Sequence, residues 1–233
     1  MGVTRSLVLG SLLVVGCGGV PTTTDDETYF TGAASAALGA TGNQAACATC
    51  HSTDGTLGRS GNSMKDIAFR ASFKGGGVTT LLGGANACII GWMGGPALTA
   101  TDAKWLALET YLQSISSPAV TTANALVPEV LASEAAYEAA YAGGNASAGA
   151  AAYAAHCSQC HDSGLKVGST SSLPKASLKG FSVGRIAQKV RTSGGVPSSS
   201  GAGADTTPGP MPFFEPVDLS ADDLKNIIAH LKT

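Results

Sequence analysis

The signature Cys-x-x-Cys-His occurs twice, as CATCH at residues 47–51 and as CSQCH at residues 157–161. Two cysteines three positions apart fall on one face of a helical turn, and the next residue opens the following turn. The pattern gathers two thiols and an imidazole in one small volume, and does so twice. Three chemistries use such a triplet. A zinc site would need its second pair of ligands within roughly twenty residues. A dithiol redox pair would need neither the histidine nor a repetition. Covalent haem attachment needs all three groups, the thiols for the vinyl groups and the imidazole for the iron. The chain is therefore expected to carry two haem c groups, each with its iron, at Cys47, Cys50, His51 and at Cys157, Cys160, His161.

Composition fits that expectation. Of 233 residues, 13 % are charged and 6 % aromatic, so large core-forming side chains are few. Small domains of this kind need a staple, and a large flat apolar cofactor supplies one. The net charge of −2 gives no electrostatic basis for nucleic-acid partners.

Each motif opens a longer repeat. Met93 follows the first motif and Met211 the second, each before a segment with helical periodicity. In LTATDAKWLALETYL, Thr99 or Thr101 is the expected cap, and Leu106, Leu108, Tyr111 and Leu112 are the apolar positions. In LSADDLKNIIAHL the equivalents are Ser220 and then Leu224, Ile227, Ile228 and Leu231. GGVPSSSGAGADTTPGP, before Met211, reads as a surface loop. The expected fold is mostly α, with two tandem haem domains at residues 29–117 and 134–233. A linker at 118–133 is marked by Pro118 and Pro128, and Gly143-Gly144 breaks the helical pattern before the second motif.

The N-terminus shows Arg5, a short apolar run from Leu7 to Val15, and then Gly16-Cys17. The run is too short to span a bilayer and fits an export signal. VVGC resembles the bacterial lipobox. That resemblance implies a lipoprotein signal at 1–16, lipidation of Cys17, a polar tether at 17–28 and a periplasmic, membrane-anchored location, with the lipid as the membrane contact. An ordinary secretory signal with an incidental cysteine is the alternative.

GAAAYAAHCSQCH and PGPMPFF resemble the N-terminal helix and the distal loop of class I bacterial cytochromes c, here in tandem. The resemblance implies electron transfer with redox partner proteins, and Met211 as the second axial ligand of its iron. Haem and lipid account for five of six cysteines; Cys88 is left. NACIIGWMGG places it five residues before Met93, and this stretch resembles the distal segment of thiosulfate dehydrogenases and sulfur-oxidation cytochromes. There a cysteine thiolate ligates the catalytic haem. That resemblance implies Cys88 as catalytic ligand and a small sulfur anion as substrate. Met93 as ligand implies an ordinary carrier, and both readings stand on the sequence. A dihaem peroxidase ranks last.

Trp92 and Trp105 are expected against the first haem. His156 and His230 are read as surface or structural residues. Arg59, Arg70, Lys74, Arg185, Lys189 and Arg191 are read as solvated charge, with haem propionates as the alternative partners.

Overall fold

The computed structural model describes residues 25–57, 60–193 and 211–233. Within them the chain is mostly α-helical. The first half comprises a 3-10 turn Asp25–Tyr29, α1 (Gly32–Ala36), α2 (Cys47–Cys50), a 3-10 turn Lys74–Gly76, α3 (Leu81–Gly91) and α4 (Ala103–Ser114). The second comprises α5 (Glu134–Tyr141), α6 (Ala146–His156), α7 (Ser158–His161), α8 (Lys175–Leu178), α9 (Val183–Thr192) and α10 (Ala221–Lys232). Strands β1 (Lys166–Val167) and β2 (Thr170–Ser171) form an antiparallel hairpin between α7 and α8. Among the described residues, no helix is long and apolar enough to cross a membrane.

The second half is built on the crossing of α6 and α10. Leu224, Ile227, Ile228 and Leu231 recur at helical spacing on α10 and are all buried. Burying one such side chain is worth about 1.5–3 kcal/mol. The crossing is close because α6 presents glycine to it: a Cβ on Gly149 would lie 1.9 Å from the Asn226 carbonyl oxygen. Ser220 caps α10, its hydroxyl accepting from Asp223 N at 3.0 Å, as its sequence position predicts. Helix α5 ends at Tyr141 and α6 starts at Ala146, so Gly143-Gly144 does interrupt the helical pattern.

The first half lacks this frame. Helix α1 is a five-residue stub, and α4 packs on the 3-10 turn Asp25–Tyr29. Residues 25–28, expected to belong to the tether, are thus part of the folded unit. Trp105, Leu108 and Leu112 of α4 are buried with Phe30 in one apolar cluster. The expected threonine cap is not used. Asp102 caps α4, accepting from Lys104 N at 2.9 Å through Oδ1. Its carboxylate also meets the positive helix end, which a threonine hydroxyl cannot match.

The segment from Pro118 to Leu131 is irregular, as its prolines require, but it is stitched to both halves. Ala71 N donates to Thr121 O (2.9 Å) and Asn124 N to Ser72 O (2.8 Å). Further on, Tyr137 Oη donates to Glu129 O (2.7 Å), and Leu131 N donates to Tyr137 Oη (2.9 Å). Arg191 completes this anchorage and corrects its reading as solvated charge. It is wholly buried; its guanidinium lies 3.5 Å from Glu129 and donates to Tyr141 Oη (2.8 Å) and to Phe214 O (3.1 Å). Pairing and hydrogen bonding offset the cost of burying that charge.

Candidate haem-attachment sites

Helix α2 is one turn that runs from Cys47 to Cys50 and ends at His51. The fully buried Ser35 of α1 accepts from Cys47 N at 3.0 Å and donates to Cys47 Sγ at 3.5 Å, so α1 fixes where the turn begins. Burial pushes the Cys47 and Cys50 thiols up to about 11 each, with Ser35 and Ser60 pulling back. His51 Nδ1 lies 2.7 Å from Asn62 O. A carbonyl only accepts, so Nδ1 carries the ring proton and the Nε2 lone pair is left for a metal. Burial also holds His51 below the usual imidazole range, which keeps the ring neutral. The loop reaches the ring because residue 61 is glycine; a Cβ there would stand 2.7 Å from both Cε1 and Nδ1 of His51.

The second motif repeats the arrangement with different supports. Cys157 is the cap residue between α6 and α7, and α7 carries Cys160 and His161. Burial pushes the Cys157 thiol up to about 12, and the Cys160 thiol is raised for the same reason. His161 Nδ1 lies 2.6 Å from Leu173 O, which again leaves Nε2 as the free donor. The β1–β2 hairpin delivers that carbonyl, with Leu165 N on Cys160 O (3.2 Å) and Ser172 N on Leu165 O (3.0 Å).

Beside the first motif lies a cavity of about 260 Å³. Cys47, Cys50 and His51 line it together with Cys88, Trp92 and Met93, so the two expected distal ligands share one space with the motif. Cys88 sits in α3, and Met93 follows its end, with Met93 N on Cys88 O at 3.1 Å. Burial raises the Cys88 thiol, and the Lys74 ammonium opposes that shift. Asn86 ties the loop after Met93 back to α3. Its amide nitrogen donates to Leu98 O (2.9 Å) and its oxygen accepts from Leu98 N (2.8 Å). Met211 packs half-buried against the second core, and Ser193 Oγ donates to its carbonyl. Pro212, Phe213, Glu215 and Asp218, which follow Met211, also line the first cavity.

These residues fit a covalently held porphyrin. The cavity is walled largely by apolar side chains, and at each motif both thiols are unbridged and the imidazole offers Nε2. Among the described residues, no group of three or more His, Cys, Asp or Glu side chains could hold a metal ion, so a zinc site has no ligand set there.

The other expected residues divide. Trp92 reaches the cavity, whereas Trp105 is buried in the helical core and is not among the cavity's lining residues. His156 meets Phe214 edge-on at 5.8 Å, and His230 Nε2 accepts from Lys175 Nζ at 2.7 Å, both structural roles. Arg70 bonds Asp66 O (3.0 Å) and the Thr122 carbonyl (3.4 Å), Lys74 lines the cavity, and Arg185 is exposed. Lys189 Nζ donates to Ser193 O. Residues 1–24 with Cys17, Arg59 and the stretch 194–210, expected as a surface loop, lie outside the described residues. Asn62, Leu173, Gly61 and Ser35 are supports that the sequence did not single out.

Residues 144–231 match the family described as cytochrome C oxidase, cbb3-type, subunit III. The chain therefore contains a cytochrome c domain, and a cytochrome c domain implies haem c. No curated protein matches the chain. A solved structure of thiosulfate dehydrogenase (TsdBA) from Marichromatium purpuratum, in its as-isolated form, aligns with a TM-score of 0.41 and 18 % identity. The alignment covers 89 % of this chain and 44 % of that one, so this chain spans less than half that length.

Proposed function

We propose that the protein is a dihaem c-type cytochrome that carries electrons between redox partner proteins, exported to the periplasm and held at the membrane surface by a lipid on Cys17. The observation that supports it best is the matched pair of imidazoles. His51 and His161 each place Nδ1 on a backbone carbonyl and keep Nε2 for iron. Cys47 and Cys50 hold one haem, and Cys157 and Cys160 hold the other. The bound haem supplies a one-electron Fe(III)/Fe(II) couple. The chain's own contribution is ligand choice, exclusion of water and placement of the two sites. Met211, a soft neutral donor, would favour the reduced state at the second site.

Mass spectrometry of denatured protein, matured with haem-attachment machinery, should show two haem additions. Cys47→Ser/Cys50→Ser should show one. A single addition in the wild type, or bound zinc, would overturn the dihaem reading. In the same cells, Cys17→Ser should move the protein from the membrane to the soluble fraction; a wild type already soluble would remove the lipid anchor.

A second reading is supported by Cys88, whose thiol shares the first cavity with Cys47 and His51. Under it, the first site is a thiosulfate dehydrogenase-like centre, with a small sulfur anion as substrate and electrons leaving through the second site. A thiolate on iron would favour Fe(III) and lower the potential of that site. Thiosulfate-dependent haem reduction that is lost in Cys88→Ala is the expected sign of it. Its absence in a Cys88-ligated protein leaves the carrier.

A further inference from the structure

The two motifs are pressed together along a hydrogen-bonded seam. Gln44 N donates to Lys166 O (3.0 Å), and Lys166 N donates back to Gln44 Oε1 (2.9 Å). Gly168 N donates to Asn43 Oδ1 at 2.9 Å. The hairpin that supplies Lys166 and Gly168 is the one that carries Leu173 O to His161, and its Val167 lines the first cavity. Gln159, inside the second motif, shares a small groove with Ala46 and Thr49 at the start of the first.

Gly168 is the tightest point of this seam. Its φ is +66°, a left-handed conformation that suits glycine, and it turns the hairpin. A Cβ at this position would stand 2.7 Å from the Trp92 carbonyl oxygen, on the segment that leads into Met93. The β1–β2 hairpin therefore abuts the distal wall of the first site, backbone against backbone at Gly168 and Trp92.

We propose that this seam sets the spacing between the two haem groups so that they form one coupled pair, with Gly168 as the positioning residue. The proposal rests on the dihaem reading above. A Cβ at residue 168 must push either the hairpin or the Trp92 carbonyl aside, and Gln44 and Asn43 resist that displacement. Asn43, Gln44, Lys166 and Gly168 are neither attachment nor axial residues, so a change there acts on the sites through their spacing and through the Trp92–Met93 segment that Gly168 abuts.

The test uses full-length holoprotein, first shown by mass spectrometry to hold two haems, so that a failed dihaem reading is recognised as a missing mass. Two porphyrins in close contact give a bisignate couplet in Soret circular dichroism, and the wild type should show one. Gly168→Ala should lose most of that couplet while both haems stay attached. Gly143→Ala is the control. It imposes similar left-handed strain (φ +83°) in open space, and it should keep the couplet. Gln44→Ala removes one seam bond without backbone strain and should weaken the couplet in part, which preserves the test if Gly168→Ala fails to fold. A two-haem wild type with only additive, single-signed Soret bands would overturn the proposal. So would a couplet that survives Gly168→Ala and Gln44→Ala unchanged.

Discussion

The two motifs share a signature but sit in different frames. Helix α6 runs for eleven residues straight into Cys157, with α10 locked across it at Gly149. Helix α1 spans five residues and stops at Ala36, well before Cys47, so the connection is made by loop and by the Ser35 hydroxyl. The repetition is one of chemistry at the attachment turn; the scaffolding around it diverges. The match of the cbb3-type family to residues 144–231 falls on the half with the long helix. The distal sides differ as well, since Cys88, Met93 and Met64 all line the first cavity, and Met211 packs on the second core.

The largest test of that difference exchanges the sulfur donors one at a time. If Cys88 is the ligand, Cys88→Ala changes the oxidised low-spin signal and the potential of one haem, and Met93→Ala leaves both as they were. If Met93 is the ligand, the outcomes swap, and the methionine-to-iron absorption band is lost at the first site. Electron paramagnetic resonance and potentiometry on the two variants decide it. Met211→Ala should act on the other haem in either case.

Glycine separates the frames next. Gly149→Ala drives a methyl into the Asn226 carbonyl and should cost about 1–3 kcal/mol, the usual range for overpacking. Gly84→Ala, on α3, meets the Phe73 side chain at an ordinary 3.5 Å and lines the first cavity, so it should cost less than Gly149→Ala. Denaturant melts of the holoprotein should therefore show the larger loss at Gly149. Equal losses would mean that the first half is packed as tightly as the second.

The smallest effect compares caps. Asp102→Ala and Ser220→Ala should each cost about 1 kcal/mol. Only the aspartate should lose part of its contribution at high salt, because it alone acts as a charge on the helix end. Thermal melts in low and high salt check this.

The two Cys-x-x-Cys-His motifs were legible because their residue types and spacing are fixed together, and the structure sets each of them at a single helical turn. The sequence also showed α10, whose four buried positions follow the 3.6-residue period. The imidazole supports were not legible. Asn62 and Leu173 act through backbone carbonyls, which any residue supplies, so side-chain identity carries no trace of the role. Arg191 looked like surface charge because its partners Glu129 and Tyr141 are distant in sequence and meet it only in the fold. The cap of α4 was missed by one to three positions, since Thr99, Thr101 and Asp102 are all competent caps and the preference for Asp over Thr is slight. That Phe213 and Asp218 line the first cavity depends on long-range packing, on which local pattern is silent.

The stitched segment between the halves also changes what the protein offers to proteases. Its composition, rich in Ser, Thr and Pro, is that of a site where chains are commonly nicked. A protease must draw several residues out of their backbone bonds before it can cleave. Here Thr121 and Asn124 are pinned to Ala71 and Ser72, and Glu129 is pinned by Tyr137 and Arg191. Cleavage near Thr121–Asn124 would require local opening of the first half, and cleavage near Glu129 local opening of the second. The stretch that looks most dispensable in the sequence is thus a barrier to separating the two halves, and a nick would leave the fragments joined along the Gln44–Lys166 bonds.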